Sequence, residues 1–254
     1  MLKFIEPFGI AIPSYAFFAV TGFCAAILFA FFRNKDQIIK WSAYYLFIVF
    51  AAIGMLFGSK LLFFITVLPT ELNDITPKKA LILFLNSGFV FYGGLFGALG
   101  CGILSGKISH EDMNKTLNIF IPPFVLFHTF GRIGCFFAGC CYGIECKLGF
   151  SYPDEPNVIR FPVQLAEALG NTIIIAILCY REKQLKNRDS LTFMYLLMYA
   201  PMRLLLEFLR GDAVRGYWGY ISTSQWISIF IIVVLAVLLF RKYRKSRKAS
   251  QYND

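Results

Sequence analysis

The chain has 254 residues, of which 57% are hydrophobic and only 16% are charged. A soluble domain has about 45–50% apolar and about 25% charged residues, so this composition excludes an ordinary soluble protein and indicates a polytopic membrane protein. The net charge of +10 at pH 7 needs no acidic or nucleic-acid partner, because many Lys and Arg residues flank apolar segments, as they do in membrane proteins.

Seven segments are predicted to be transmembrane helices, each of which needs about 20 mostly apolar residues. They lie at about residues 10–32, 44–67, 81–104, 117–137, 163–180, 191–209 and 224–240. The fourth and fifth carry polar groups and are flanked by prolines, so a re-entrant or broken path is an alternative for them. The predicted fold class is an all-α integral membrane protein, with one transmembrane domain at residues 1–240 and a basic tail at 241–254.

The basic residues are divided unequally between the two sides of this arrangement. With seven spans, one side holds fifteen Lys and Arg residues, in segments 33–43, 105–116, 181–190 and 241–248, and the other side holds six. Because cytoplasmic loops carry the excess of Lys and Arg, the N-terminus is predicted to be outside and the C-terminus cytoplasmic. The tail is interpreted as a topology determinant that faces anionic lipid, rather than as a nucleic-acid arm.

The third predicted span contains Tyr92, Gly93 and Gly94 within a run of small residues. Small residues at three- and four-residue spacing are typical of close helix packing in membranes. In the alternative interpretation, Tyr92 presents its hydroxyl to a cavity whose floor is bare backbone.

The fourth span carries an arginine through sequence apolar enough for a bilayer. A charge at membrane depth costs about 3 kcal/mol or more. Arg132 therefore needs a counter-charge or an anionic ligand, such as a lipid phosphate. Gly131 and Gly134 allow a ligand to approach the backbone closely. His128 lies four residues before Arg132 and is interpreted either as a base or as a hydrogen-bonded interior histidine.

Four cysteines follow in the pattern C-x4-C-C-x4-C, at Cys135, Cys140, Cys141 and Cys146. Structural zinc sites favour C-x2-4-C pairs, and thiol exchange favours C-x-x-C, so neither chemistry is indicated and no metal is predicted. A disulfide on the oxidising side and packing beside glycines remain as alternatives. A membrane thiol oxidoreductase using Cys140 or Cys141 is the corresponding functional alternative.

The fifth span begins after Pro162 and carries Gln164, Glu167 and Asn171. Offsets of three and seven residues place these side chains on one face of a helix. A polar stripe on an apolar helix predicts either contacts between helices or the wall of a binding site.

The sixth span ends with Arg203, Glu207 and Arg210, which a continuous helix places within about 60° of arc. Glu207 can neutralise one arginine, so the stripe predicts a net positive site. A guanidinium group matches phosphate oxygens with two hydrogen bonds at once. The alternative is a structural Arg203–Glu207 pair, with Arg210 reaching the membrane interface.

Taken in order, these motifs resemble those of the bacterial prolipoprotein diacylglyceryl transferase family over about residues 8–240. The matching segments are Ile12-Pro-Ser-Tyr15, Gly54-Met-Leu-Phe-Gly58-Ser-Lys60, Phe91-Tyr92-Gly-Gly-Leu-Phe-Gly97, Gly131-Arg132-Ile-Gly134, Pro162-Val-Gln164-Leu-Ala-Glu167, Arg203-x3-Glu207-x2-Arg210 and Ile221-Ser-x-Ser-Gln225. The chain departs from the family where a histidine is Tyr92, and where two asparagines and a glutamate of the signature are Cys135, Ala138 and Cys140.

The resemblance implies a multi-pass enzyme of the bacterial cytoplasmic (inner) membrane. Such an enzyme moves a diacylglyceryl group from phosphatidylglycerol to the cysteine thiol of a lipoprotein precursor and releases glycerol phosphate, without a cofactor. The predicted catalytic residues are Arg132, Arg203, Tyr92 and His128. The predicted substrate-binding residues are Tyr15, Lys60, Gly93, Gly94, Gly131, Gln164, Glu167, Glu207 and Arg210. The alternatives are the same donor with another acceptor, and a lipid-binding or transport protein without turnover.

Overall fold

A computed structural model describes residues 3–6, 9, 11–71, 76, 79, 82, 84, 91–152, 155–182, 191–212, 217–218 and 220–250. Over these residues the chain forms seven helices: α1 (Ser14–Arg33), α2 (Trp41–Glu71), α3 (Phe91–Ser109), α4 (Met113–Ala138), α5 (Val163–Glu182), α6 (Leu191–Glu207) and α7 (Thr223–Ser250). Three antiparallel two-stranded ribbons, which the sequence did not predict, are β1 (Phe4–Ile5) with β2 (Ile12–Pro13), β3 (Glu145–Tyr152) with β4 (Glu155–Arg160), and β5 (Tyr217–Trp218) with β6 (Ile221–Ser222).

Five helices among the described residues are long and apolar enough to cross a membrane. They are α1, residues 41–65 of α2, α4, α5 and residues 223–244 of α7. The protein is thus mainly helical, with the character of a multi-pass membrane protein. The broken path considered for the fourth and fifth segments is wrong, because each is an uninterrupted helix, and α4 contains Pro122 and Pro123. Residues 81, 83 and 85–90 of the third predicted span lie outside the described residues.

Burial separates these helices into two kinds. In the most apolar stretch of each helix, only 17%, 11% and 17% of the residues of α1, α2 and α7 are buried. The corresponding fractions for α4 and α5 are 44% and 39%. Polar side chains in membrane helices face the protein interior, because lipid cannot satisfy them. The two more buried helices, α4 and α5, are those that carry the predicted polar stripes.

The chain divides into two compact units, one made from residues 1–33 and 117–254 and the other from residues 34–116. The first unit has an apolar core where α4, α5 and α6 meet, formed by Ile121, Val125, Ile174, Leu178, Leu191 and Tyr195. At one end of this unit, Arg33 donates a hydrogen bond of 2.6 Å to Glu182 and another to the carbonyl of Asn118. This ion pair joins the last turns of α1 and α5.

Close glycine contacts hold α2 and α3 together in the second unit. A Cβ atom at Gly58 would collide with the backbone of Gly93, and one at Gly54 with the backbone of Gly97. Small residues at this spacing allow two backbones to approach closely. The packing interpretation of this segment is therefore confirmed for Gly93. Of the neighbouring residue Tyr92, only the backbone is among the described parts of the chain.

Candidate functional site

In the first unit, polar side chains of α4 lie around the buried carboxylate of Glu167. Glu167 of α5 is 2% exposed, and its Oε2 atom lies 3.0 Å from Nε of Arg132. Its Oε1 atom accepts a hydrogen bond of 3.0 Å from the hydroxyl of Tyr199 and lies 3.5 Å from Nε2 of His128. The counter-charge that Arg132 requires at membrane depth is therefore Glu167, contributed by a different helix.

The polar face predicted for α5 is present. Gln164, Glu167 and Asn171 are all buried, as helical offsets of three and seven residues require. Gln164 donates a hydrogen bond of 2.6 Å to the carbonyl of Cys140 and accepts one of 3.1 Å from the hydroxyl of Tyr152. The start of α5 is thereby tied to the turn after α4 and to the end of β3.

A second buried pair lies near the end of α6. Nη1 of Arg203 is 2.7 Å from Oε2 of Glu207, and Nη2 of Arg203 donates a hydrogen bond of 3.1 Å to Ser224 at the start of α7. The structural pair that was considered for these two residues is therefore present.

The helical stripe predicted to continue to Arg210 is wrong, because α6 ends at Glu207 and the chain then tightens into a turn. Arg210 pairs with Gly143 in an isolated antiparallel β-bridge. Its guanidinium group donates hydrogen bonds of 2.9 and 2.6 Å to Asp212, and its Nη1 atom still lies 3.7 Å from Glu207. Burial acts to lower the pKa of Arg210, but hydrogen bonding and the charge of Asp212 raise it above its ordinary value.

The three arginines of this network are paired with three carboxylates. Arg132 is paired with Glu167, Arg203 with Glu207, and Arg210 with Asp212 as well as Glu207. The predicted net positive charge is therefore absent from these six side chains. Instead, carboxylates hold the guanidinium groups in fixed orientations, and Arg132 remains the more accessible of the two helix-borne arginines, with 13% of its side chain exposed against 4% for Arg203.

Electrostatic contacts join the two pairs to the turn after α4. The charge of Arg203 acts on Glu167, and the charges of Arg132 and Arg210 both act on the thiol of Cys141. The pKa of Cys141 lies well below its ordinary value, because Cys135 and Cys140 direct hydrogen bonds at its sulfur and these arginine charges favour the thiolate.

Gly131 marks an open space beside Arg132. A Cβ atom added there would meet nothing within 4 Å, whereas one added at Gly134 would lie 3.1 Å from Cβ of Phe18 in α1. The hydroxyl of Tyr15 at the start of α1 is within electrostatic range of Arg132. The backbone next to Arg132 is therefore uncrowded at Gly131, and the access of a ligand at this point stays a prediction.

The structure brings together nine of the thirteen predicted site residues. These are Tyr15, His128, Gly131, Arg132, Gln164, Glu167, Arg203, Glu207 and Arg210. The other four belong to the second unit: Lys60, Tyr92, Gly93 and Gly94.

Sequence reasoning missed three polar members of this network: Tyr199, Asp212 and Ser224. Tyr199 precedes Arg203 by four residues, so the same helical offset that paired Arg203 with Glu207 could have identified it. Ser224 lies in a motif that was noted without a role, and Asp212 is only two residues beyond Arg210.

The amino-acid sequence was compared with known protein families and with individual relatives. Residues 3–241 match the family model described as prolipoprotein diacylglyceryl transferase. A phosphatidylglycerol–prolipoprotein diacylglyceryl transferase of Clostridium tetani is 30% identical over 247 residues, which cover 94% of this chain and 97% of the relative. The protein named phosphatidylglycerol–prolipoprotein diacylglyceryl transferase 2 of Clostridium perfringens is 31% identical, with 96% of each chain covered. A Chlorobaculum tepidum relative with the first of these names is 31% identical over 62% of this chain and 57% of its own length.

Proposed function

Because the chain belongs to the prolipoprotein diacylglyceryl transferase family, we propose that it transfers a diacylglyceryl group from phosphatidylglycerol to the cysteine thiol of a lipoprotein precursor. The thiolate sulfur attacks the glyceryl carbon that bears the phosphate ester. A C–S bond forms, the C–O bond to phosphate breaks, and glycerol phosphate leaves with the bonding electron pair. The thiol proton passes to a base or to water.

The observation that supports this proposal is the set of oriented guanidinium groups in one buried network. Negative charge develops on the departing phosphate, and donors fixed in advance stabilise such charge without reorganisation. Arg132 and Arg203 hold the phosphate, and their carboxylate partners Glu167 and Glu207 keep each guanidinium plane in position. The open space beside Gly131 gives the headgroup access to Arg132.

The remaining predicted residues take supporting roles in this proposal. Arg210, whose Nη1 atom lies 3.7 Å from Glu207, supports the Arg203–Glu207 pair. For Lys60 and Tyr92, which belong to the other compact unit, the family resemblance implies added positive potential and a hydrogen-bond donor, since a phenol is a poor base near neutral pH. His128 is the candidate base of this proposal, and its Nε2 atom lies 3.5 Å from Oε1 of Glu167. Tyr15 and Gln164, both in the first unit, line the path of the lipid.

We propose seven membrane crossings in the cytoplasmic (inner) membrane of a bacterium. The N-terminus is outside, residues 1–240 form the membrane domain, and residues 241–254 form a basic cytoplasmic tail. The support is the distribution of Lys and Arg residues, fifteen on the tail side against six on the other. On this assignment the turn after α4 and the start of α5 face outward, where a secreted precursor presents its cysteine.

The test is reconstitution of the purified protein in phosphatidylglycerol vesicles with a precursor peptide that contains the acceptor cysteine. We expect glycerol phosphate release together with a peptide whose mass has increased by one diacylglyceryl group. A peptide with serine in place of cysteine is the matched acceptor control. Release without a thioether product would indicate a different acceptor.

Substitutions test the assignment of the site. Arg132→Gln and Arg203→Gln should abolish release, whereas Arg181→Gln, which changes an exposed arginine in the last turn of α5, should not. Unchanged release by either of the first two variants would contradict the proposed phosphate site.

A further inference from the structure

Three cysteines meet at the C-terminal end of α4. The amide of Gly139 bonds to the carbonyl of Phe136 at 3.2 Å, and the amide of Cys140 bonds to the carbonyl of Cys135 at 3.1 Å. This pair of bonds, with Gly139 at φ 78°, is a Schellman motif, which brings the residue three positions before the cap against the second residue after it. Here both of those residues are cysteines. Cys141, at φ 59°, then turns back towards them.

The sulfur atoms of Cys135, Cys140 and Cys141 all lie within 4.8 Å of one another, and all three are free thiols. Three sulfurs that share one Zn²⁺ at about 2.3 Å would be separated by about 3.8–4.0 Å. The thiols therefore need to move by only a fraction of an ångström to share an ion. Cys140 is exposed while the other two are half-buried, so one side of the cluster is open.

Two guanidinium groups lie within electrostatic range of one thiol of the cluster. A divalent ion with three thiolates carries one negative charge, and binding a fourth thiolate makes it two. The charges of Arg132 and Arg210 both act on Cys141. Cysteine sulfurs are good ligands for soft or borderline cations, and the spacing of these three suits a shared ion.

We propose that Cys135, Cys140 and Cys141 bind one Zn²⁺ ion, whose open fourth position takes the acceptor thiol. The second half of this statement rests on the proposed transferase function. The acceptor R–SH binds through sulfur, its proton leaves to water, and the bound thiolate keeps the electron pair that later forms the C–S bond. A metal-bound thiol is deprotonated at neutral pH, because the ion stabilises the thiolate. The cluster lies in the same network as Arg132, so the activated sulfur would be next to the phosphate end of the donor.

The metal half is tested without reference to activity. The reduced full-length protein in detergent, free of metal, is titrated with Co²⁺, which replaces Zn²⁺ and whose sulfur-to-metal charge-transfer absorption grows with the number of thiolates. We expect one ion per chain with the intensity of three thiolates, displaced by one equivalent of Zn²⁺. Replacing one of the three cysteine ligands should weaken Co²⁺ binding by at least about 100-fold. Replacing a residue that only hydrogen-bonds to a metal ligand typically weakens binding by about 10–100-fold. Cys141→Ser and Cys140→Ser test this effect, and the second changes the most exposed thiol, so folding should be little affected.

The control variant is Cys146→Ser, since Cys146 donates its hydrogen bond to the carbonyl of Leu148 and is not among the three clustered thiols. This variant should bind Co²⁺ like the unchanged protein. An absence of stoichiometric binding, or equal loss in Cys146→Ser, would overturn the metal site even if the transferase is active. Recovery of the cysteines as a disulfide that resists reduction would do the same.

The acceptor half is tested by adding the precursor peptide to the Co²⁺-loaded protein. The cysteine peptide should raise the charge-transfer intensity by about one third, from three thiolates to four, and the serine peptide should not. An unchanged spectrum with the cysteine peptide would overturn the acceptor role. Glycerol phosphate release measured on the same preparation reports separately whether the proposed transferase function holds.

Discussion

Replacing Glu167 by glutamine removes the carboxylate partner of Arg132 while preserving the shape of the side chain. The pair is almost fully buried, with 2% and 13% of the two side chains exposed. Removing one partner of a buried ion pair costs about 3–5 kcal/mol, because the other charge is left uncompensated. The glutamine oxygen can still accept the hydrogen bond from Tyr199, so the lower end, about 3 kcal/mol, is expected. At about 2–4 °C per kcal/mol for a chain of this size, the unfolding midpoint should fall by about 6–12 °C.

The double variant Arg132→Gln/Glu167→Gln removes both charges and separates stability from catalysis. Since no charge is left unpaired, much of the lost stability should return, with a coupling energy of about 2–3 kcal/mol. Glycerol phosphate release should remain abolished, because the phosphate ligand is gone. Thermal unfolding in detergent, followed by tryptophan fluorescence, measures the first quantity, and the vesicle assay measures the second.

The Arg33–Glu182 pair provides the matched control, because it lies at the other end of the same unit. Neutralising both of its members should change stability without abolishing release. If the effects of the Arg132 and Glu167 substitutions are simply additive in the double variant, the ion pair contributes no coupling and the structural argument is wrong. A double variant that still releases glycerol phosphate would refute the role of Arg132.

Three further predictions concern glycines and the guanidinium fork. Gly131→Ala should raise the free energy of unfolding by about 0.5–1 kcal/mol, because alanine has the higher helix propensity. It should nevertheless lower activity, because the added methyl group fills the open space beside Arg132. Gly134→Ala should instead lower the free energy of unfolding, because its methyl group crowds α1. Equal activity of Gly131→Ala and the unchanged protein would argue against headgroup access at that point. Arg203→Lys keeps the charge but loses hydrogen bonds worth about 1.5–3 kcal/mol, so release should fall about 10–100-fold, and an undiminished rate would mean that charge alone suffices. Gly97→Leu should prevent α2 from packing on α3 and abolish stable folding, measured by monodispersity in detergent, whereas Gly100→Ala, which meets open space, should be tolerated.

Local periodicity made part of the site predictable. Because one face of a helix recurs every three to four residues, the sequence alone placed Gln164 with Glu167, and Arg203 with Glu207. The cost of a charge in a membrane likewise predicted that Arg132 has a partner. Which residue that partner is depends on the relative register of two helices, and nothing local to either helix encodes that register.

The end of a helix limited the prediction elsewhere. Arg210 was assigned to a helical stripe, but the helix stops three residues earlier and the arginine reaches Glu207 from a turn. The cysteines were judged by their spacing, which takes no account of a helix cap. A glycine four residues after Cys135 is a signal for a Schellman motif, and that signal would have brought Cys140 back to Cys135.

The pairing of each arginine with its own carboxylate has a consequence for selectivity. A cluster of bare cations would behave as an ion exchanger and take up chloride, inorganic phosphate or any acidic peptide. A guanidinium group whose charge is already balanced gains little from a stray anion, because that anion also meets the repulsion of the resident carboxylate. A lipid can still bind if its acyl chains hold it in the bilayer and its phosphate oxygens match the free N–H groups of the guanidinium groups. Discrimination between anions therefore depends on shape and on lipid attachment rather than on attraction between opposite charges.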